Sequence, residues 1–89
     1  MKSSTTGEFR KRLNQLPISV REQANKAYEL WRDNPYHPSL QFKRVSQQQP
    51  VYSARISLNY RALGLLENRQ IYWFWIGTHS EYDEFLKRL

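Results

Sequence analysis

The amino-acid sequence predicts an α+β fold, in which an N-terminal α-hairpin packs on a four-stranded antiparallel sheet and a short C-terminal helix follows. Three observations lead to this prediction. Apolar residues recur at helical spacing before residue 34, alternate with polar residues over positions 51–58, and return to helical spacing after position 80. The predicted order of elements is ααββββα, and a chain of 89 residues has room for one small domain, residues 1–89.

The two N-terminal helices are each indicated by one apolar stripe. We place the first at about residues 6–15, ending before Pro17, and the second from a capping box of Ser19 and Glu22 to Asn34. The stripe of the first helix consists of Phe9, Leu13 and Leu16. The stripe of the second consists of Val20, Ala24, Ala27, Tyr28 and Trp31. We expect the two helices to form an antiparallel hairpin.

The strands begin after a turn-rich connector at residues 36–39. The first predicted strand is residues 40–45, and the run Ser-Gln-Gln-Gln-Pro at positions 46–50 interrupts the sheet. Residues 51–58 then show the alternation of a strand with one buried face. The face expected in the core carries Tyr52, Ala54, Ile56 and Leu58. The opposite face carries Val51, Ser53, Arg55 and Ser57.

The last two predicted strands are residues 60–66 and 71–77, joined by a short polar hairpin connection. The sheet is therefore expected to be a meander. Ser80 is the predicted cap of the final helix, and Asp83 completes a capping box with it. The apolar side of this helix carries Tyr82, Phe85, Leu86 and Leu89.

The composition indicates a basic domain with an anionic partner. The formal net charge is +6 at pH 7, which favours association with nucleic acid or with an acidic protein segment. Cysteine is absent, which fits a reducing compartment. We see no apolar signal segment at the N-terminus, and the longest apolar run, residues 71–76, is far shorter than the ~20 residues of a membrane span. We therefore expect a cytoplasmic protein with no membrane partner.

One surface of the predicted sheet is positive, because no acidic residue occurs between Asp33 and Glu67. The basic residues that the strands carry in this interval are Lys43, Arg44, Arg55 and Arg61. Lys43 and Arg44 are neighbours on one strand and point to opposite faces, so at most one of them joins a site with the other cations. The segment after the last strand brings His79 and Tyr82 to the end of the same sheet.

The relation between the two strand arginines depends on the loop between their strands. A two-residue loop would pair Ile56 with Arg61 and place an arginine on the apolar face. A three-residue loop instead places Arg55 opposite Arg61, Ala54 opposite Ala62 and Ile56 opposite Tyr60. It requires a left-handed residue at its third position, which Asn59 tolerates. Like charges directly opposite one another destabilise a sheet, so the arginine pair indicates an anion site.

The next hairpin has two open registers. A loop with an even number of residues places Phe74 and Ile76 on the face of Arg61, whereas an odd number places Trp73 and Trp75 there. Exposed tryptophans could stack on nucleic-acid bases. Aromatic residues in a small sheet more often belong to the core, so neither tryptophan is named as a ligand.

The candidate residues suit phosphodiester chemistry. Cleavage of RNA by its own 2′-hydroxyl needs a base, an acid and cations around the phosphorus. Arg61, with Arg55 or Lys43, would bind the nonbridging oxygens. His79 is the favoured proton-transfer group, because histidine exchanges protons near neutral pH. Tyr82 either transfers a proton or orients and stacks, and the assignment of acid and base stays open. No metal or other cofactor is expected, since two distant histidines without cysteine do not form a usual ligand set.

Three segments, together with the order of elements, resemble the RelE/ParE superfamily of toxins from bacterial type II toxin–antitoxin pairs. They are Val-Tyr-Ser-Ala-Arg-Ile at 51–56, Tyr-Arg-Ala-Leu at 60–63 and Trp-Ile-Gly-Thr-His-Ser-Glu-Tyr-Asp at 75–83. The resemblance favours the RelE-like branch. It implies an mRNA interferase, an endoribonuclease that acts on messenger RNA at the ribosome without a metal.

The resemblance also implies roles for individual residues. Arg61 would be the phosphate-binding arginine with Arg55 beside it, and His79 and Tyr82 would be the catalytic groups at the end of the sheet. Lys43 and Arg44 lie where RelE-like toxins place basic residues that bind RNA. One departure concerns the YoeB-like branch of the superfamily, which uses a glutamate base from the region before the arginine strand, whereas here that region offers only glutamines at 47–49.

Two other functions remain open under the same resemblance. The first is a ParE-like toxin that inhibits DNA gyrase without catalysis. The second is an inactive member of the superfamily that only binds a partner. All three imply a cognate antitoxin or a similar segment, acidic where it crosses Arg55 and Arg61.

Overall fold

The computed structural model describes residues 1–89 as an α+β fold, as predicted. Its elements in chain order are β1 (Lys2–Thr5), α1 (Gly7–Asn14), α2 (Ile18–Asp33), a 3₁₀ turn (Pro38–Leu40), β2 (Lys43–Arg44), β3 (Val51–Ser57), β4 (Tyr60–Glu67), β5 (Gln70–Thr78) and α3 (His79–Leu86). The strands form one sheet in the order β1-β5-β4-β3-β2. None of the three α-helices has both the length and the apolar character of a membrane span.

The sheet has five strands rather than the predicted four, and it is mixed rather than purely antiparallel. The additional strand, β1, pairs with β5 in parallel, with Lys2 opposite Gln70 and Thr5 opposite Trp73. Its sequence is polar throughout, so no alternation marks it as a strand. The first strand predicted after the helices is also shorter than expected, because residues 38–40 form the 3₁₀ turn and only Lys43–Arg44 pairs with β3.

Helices cover both faces of the sheet. On one face α1 and α2 bury a cluster around Trp31, which is 1% exposed and contacts Phe42 and Trp73 edge-on. On the other face α3 covers a smaller cluster, which consists of Val51, Leu63, Trp75 and Tyr82. This second cluster explains why β3 is buried on both sides in its first half, where only one buried face was expected.

Two predictions about β3 are therefore corrected. Val51 and Ser53, on the face expected to be open, are each 2% exposed because α3 packs over them. Leu58, expected in the core, lies in the turn after β3 and is 71% exposed.

Both predicted capping boxes are wrong in position. Helix α2 begins at Ile18 from Pro17, whose carbonyl accepts hydrogen bonds from the first turn, so Ser19 lies inside the helix rather than at its cap. Helix α3 begins two residues earlier than expected, because Thr78 at the end of β5 caps it directly. The Thr78 side chain accepts from the backbone N–H of Glu81, and the Glu81 carboxylate accepts from the N–H of Thr78 at 2.9 Å.

This capping box predicts a loss of stability in acid. The hydrogen bond from the Thr78 backbone N–H lowers the pKa of Glu81 from its usual value of 4.5; desolvation opposes this, while the Thr78 hydroxyl and Arg12 add to it. A lowered folded-state pKa stabilises the protein above the unfolded-state pKa, and the stabilisation disappears as pH falls through the lowered value. Glu81→Gln should cost about 0.5 kcal/mol near neutral pH, discounted for exposure, and flatten the profile below pH ~4.5.

Urea unfolding of Glu81→Gln and wild type between pH 7 and pH 3 measures this effect. Glu84→Gln, on the same helix but outside the cap, is the matched control and should retain the wild-type profile. Equal acid destabilisation of wild type and Glu81→Gln would reject the role of this carboxylate.

The register between β3 and β4 confirms the predicted arginine pair. Arg55 lies opposite Arg61, and Ala54 lies opposite Ala62. The loop differs from the prediction, because Ser57 pairs with Tyr60 and a bulge between Arg55 and Ser57 absorbs the extra residue. The turn is therefore two residues long, and its second residue, Asn59, does not have the positive φ that a three-residue loop requires.

The register between β4 and β5 places the tryptophans on opposite faces. The turn has an even number of residues, Asn68 and Arg69, with φ angles of 53° and 63° that suit a type I′ hairpin. A bulge then leaves Phe74 unpaired, so that Trp73 lies opposite Gly64 and Trp75 lies opposite Leu63. Neither of the two registers left open was right, because both assumed an uninterrupted ladder.

Candidate functional site

Arg61 occupies the centre of the sheet end at which β3, β4 and β5 meet. Its cross-strand neighbours are Arg55 on β3 and Gly77 on β5. The guanidinium folds over the β3–β4 turn, and Nη1 makes all of its hydrogen bonds. The acceptors are the carbonyls of Ser57 at 2.6 Å, Tyr60 at 3.0 Å and Leu58 at 3.3 Å. One edge of the guanidinium is thus anchored, and Nη2 and Nε keep donors for a ligand.

The arginine pair concentrates positive charge at this position. Partial burial, and then the charge of Arg55, lower the pKa of Arg61, while Tyr82 and Asp83 act in the opposite direction. An arginine side chain stays protonated in proteins, so the lowered pKa reports unfavourable surroundings for a cation rather than loss of its proton. A bound anion would remove this disadvantage, as the sequence-based argument expects.

His79 is attached to the same turn as Arg61. It is the first residue of α3, and its backbone N–H donates to the Asn59 carbonyl at 2.8 Å. Arg61 Nη1 donates to the carbonyl of Leu58, the residue before Asn59. The β3–β4 turn therefore holds both Arg61 and His79. The His79 side chain is 47% exposed and therefore accessible to a substrate.

Asp83 orients the His79 ring, and sequence analysis did not identify this role. His79 Nδ1 lies 3.1 Å from Asp83 Oδ2, one helical turn away on α3. Asp83 also affects the pKa of Arg61, which indicates that it lies near both groups. The signal was the i, i+4 spacing of His79 and Asp83, but it appears only when Thr78 caps α3 and His79 is its first residue, rather than when Ser80 is the cap.

Tyr82 is buried, and its hydroxyl is already engaged. It belongs to the cluster under α3, and its hydroxyl donates to Ser53 Oγ at 3.1 Å. Its ring meets the His79 ring edge-to-face, with 5.8 Å between centroids. Of the two roles left open for Tyr82, orientation of the imidazole fits this geometry better than proton transfer.

Lys43 and Arg44 lie on opposite faces of β2, as expected. Lys43 lies opposite Ser53, so it shares the face of Arg55 and Arg61, and its side chain is exposed. Arg44 lies opposite Tyr52 on the face of the N-terminal helices. Its guanidinium turns back to the carbonyls of Ser46 and Gln47. Lys43 is thus the one of the two that faces the site.

Arg12 of α1 secures the junction that carries His79, and sequence analysis did not identify it either. Its Nε donates to the Ile76 carbonyl at 2.9 Å, and its guanidinium lies 5.1 Å from the centre of the Trp75 ring. Its Nη2 also approaches the Glu81 carboxylate at 3.7 Å. Gly77 permits this packing, because a Cβ there would lie 2.6 Å from the Trp75 ring.

Comparison with known proteins gives one family and several similar structures. The model of a family described as the ParE-like toxin domain matches residues 18–84. No curated protein shows significant sequence similarity to the chain.

Several solved structures with similar folds are of toxins or of toxin complexes. The RelB-RelE antitoxin-toxin complex from Methanococcus jannaschii gives a TM-score of 0.72 at 16% identity, covering 91% of this chain and 95% of that chain. YafQ from E. coli strain BL21(DE3) gives 0.69 at 14% identity, covering 91% and 96%. The YoeB/ParE toxin from Agrobacterium tumefaciens gives 0.69 at 13% identity, covering 89% and 99%. At these identities the similarity concerns the fold.

Proposed function

Because the chain belongs to the ParE-like toxin domain family, we propose that it is the toxin of a type II toxin–antitoxin pair and that it cleaves messenger RNA at the ribosome. The reaction uses the 2′-hydroxyl of the RNA as nucleophile and protein side chains alone as catalysts. The observation that supports this most is the opposed Arg55–Arg61 pair, with His79 attached to the same turn.

The arginines bind the scissile phosphate. In the reaction the 2′-oxygen forms a bond to phosphorus and the bond to the 5′-oxygen breaks, which leaves a 2′,3′-cyclic phosphate and a 5′-hydroxyl. Negative charge grows on the nonbridging oxygens as phosphorus becomes five-coordinate. Arg61 offers a planar pair of donors to these oxygens, and Arg55 adds a second charge. Hydrogen-bond donors that are already in position stabilise this developing charge best. The hydrogen bonds that anchor Arg61 on the turn hold its guanidinium in such a position.

His79 transfers the proton. We assign the tautomer in which Nδ1–H donates to Asp83, so that Nε2 is the basic nitrogen. Nε2 takes the proton of the 2′-hydroxyl, and the resulting imidazolium can return it to the departing 5′-oxygen. Asp83 stabilises the imidazolium and fixes the ring. The Tyr82 ring supports the His79 ring through the edge-to-face contact between them.

Message cleavage in a purified translation reaction tests this proposal. The expected products carry 2′,3′-cyclic phosphate and 5′-hydroxyl ends, and a message with a 2′-deoxynucleotide at the cleavage position should stay intact there. The same RNA without ribosomes is the control and should be cut far more slowly. Intact messages in the presence of active ribosomes would reject the proposal.

A non-catalytic gyrase inhibitor is the second candidate, because the matching family model is described as ParE-like and the Tyr82 hydroxyl is buried. Under this alternative, His79→Ala keeps its toxicity, and toxicity is accompanied by gyrase-dependent DNA damage. Harmless expression without any antitoxin would indicate the third possibility, an inactive member that only binds a partner.

We also propose a cognate antitoxin. Similar folds occur in RelB-RelE complexes from Methanococcus jannaschii and Pyrococcus horikoshii OT3 and in the E. coli RelBE complex. An antitoxin segment that crosses Arg55 and Arg61 should be acidic there, so its association should weaken and slow with added salt. Salt-independent association would contradict this expectation.

The two faces of β2 give a matched pair of variants for RNA binding. Lys43→Gln should weaken binding of single-stranded RNA and reduce the slope of log K against log salt by about 0.7, because one phosphate contact is lost. Arg44→Gln removes the same charge from the neighbouring residue and should leave the slope unchanged, because its guanidinium bonds the carbonyls after β2. Anisotropy titrations at several salt concentrations measure both. Equal slopes for the two variants would contradict the placement of the site on one face.

A further inference from the structure

An open cavity of about 370 Å³ lies where α2, the 3₁₀ turn and the end of β3 meet, and its lining is a mixture of apolar and polar residues of these elements. None of the roles proposed above involves it. Its polar lining residues are Gln23 and Lys26 on α2, Ser39 in the 3₁₀ turn, and Arg55 and Ser57 on β3. No carboxylate lines it. Two cations, two hydroxyls and an amide form a set rich in hydrogen-bond donors, which suits an anion.

The two cations of this cavity have no acidic partner in the structure. The three ion pairs of the molecule are Arg12–Glu81, His79–Asp83 and Lys87–Glu84. Glu22 and Glu29 lie one helical turn from Lys26 on α2, yet neither forms an ion pair with it. Neither cation is therefore held in an ion pair by the protein itself.

Arg55 connects the cavity with the candidate active site. Arg55 lies opposite Arg61, on the face away from the N-terminal helices, and it also lines the cavity, which is on the helices' side of the sheet. Strand β2 pairs only with Tyr52 and Ser53 of β3, so no strand covers the edge of β3 at Arg55. An extended chain of phosphates can therefore pass from Arg61 around this edge to Lys26.

We propose that the cavity binds a second backbone phosphate of the RNA strand, adjacent to the one at Arg61, with Lys26 as its main cation and Gln23 as a neutral donor. This inference rests on the proposed function. An acidic peptide would also carry negative charge, but the continuity through Arg55 favours a ligand with regularly spaced anions, which a nucleic-acid backbone provides.

Binding of short RNAs of different length tests the second phosphate. The probes are a fluorescent 2′-O-methyl dinucleotide, which has one internucleotide phosphate, and the matching tetranucleotide, which has three. Lys26→Gln should weaken tetranucleotide binding about three- to fivefold and leave dinucleotide binding unchanged. Arg61→Ala should weaken both. The charge-matched control Lys11→Gln, on α1, should change neither.

Several outcomes would overturn the inference. Unchanged tetranucleotide binding by Lys26→Gln would do so, as would an equal loss for both RNAs. Loss of binding to a glutamate hexapeptide with unchanged RNA binding would assign the cavity to a protein partner. Inorganic phosphate that competes with the tetranucleotide at micromolar concentration would assign it to a free anion.

Failure of the inference can be told apart from failure of the proposed function. If wild type cleaves messages and Lys26→Gln binds the tetranucleotide normally, only the inference fails. If no message is cleaved and the dependence on Lys26 and RNA length persists, only the proposed cleavage fails.

Discussion

Arg61→Ala is expected to slow message cleavage about 10²- to 10³-fold, with little change in ribosome binding. The reason is that Arg61 combines a fixed position on the β3–β4 turn with two donor nitrogens, Nη2 and Nε, that make no hydrogen bond within the protein. Its three hydrogen bonds all leave from Nη1. Arg61→Lys keeps the charge and loses the planar fork, so its rate should lie between those of wild type and alanine. Single-turnover cleavage at saturating ribosome concentration measures all three rates.

Arg69→Asn is the control for loss of one arginine charge. Arg69 lies in the turn at the opposite end of β4, where its φ of 63° is a conformation that asparagine tolerates. This variant should cleave within about twofold of wild type, since a charge at that distance is largely screened. A comparable loss in Arg69→Asn and Arg61→Ala would show that overall charge matters and the proposed position does not. Unfolding midpoints of the variants exclude a loss through misfolding.

His79→Ala is expected to slow cleavage about 10²- to 10⁴-fold, the range for removal of a general acid–base group. Asp83→Asn should have a smaller effect, because the ring remains and only its orientation and the stabilisation of its charged form are weakened. Rates of both variants between pH 5 and pH 9 distinguish these roles. His79→Ala should lose the part of the profile that reports an ionising base, and Asp83→Asn should shift it.

The chain provides its own control for this prediction. His37, the other histidine, lies before the 3₁₀ turn and contacts Ser39 through Nδ1 at 2.9 Å. His37→Ala should cleave at the wild-type rate. Cleavage by His79→Ala at the wild-type rate would instead reject the role assigned to His79. Retained toxicity of this variant without any message cleavage would support the gyrase-directed alternative.

The element order could be predicted from the sequence because each of its parts has a local signal. The apolar stripe that ends at Trp31 and the alternation around Ala54 both follow from simple periods. Strand β1 has no such signal, since its residues are polar and its pairing with β5 joins positions almost 70 residues apart. The cap of α3 was misplaced because overlapping patterns compete: Thr78 with Glu81 and Ser80 with Asp83 both fit a capping box, and only the end of β5 decides between them.

The candidate site was predictable where it depends on register. The hydrophobic pattern places Ala54 and Ala62 on the buried face, and the register that keeps both arginines off that face pairs Arg55 with Arg61. The bulge at Phe74 was not predictable, because a bulge is defined by the partner strand, and so the faces of Trp73 and Trp75 were missed. Arg12 was missed for a related reason, since its hydrogen bond to Ile76 spans 64 positions and has no local pattern.

The central claim is that Arg61 and His79 act on one phosphodiester, and a double-mutant cycle tests it most directly. Single-turnover cleavage is measured for wild type, Arg61→Ala, His79→Ala and the double variant. Residues that act as a unit show strongly non-additive losses, so the double variant should be at most about tenfold slower than the slower single variant. A rate reduced by the full product of the two single effects would contradict the account, because it would mean that the two side chains act independently.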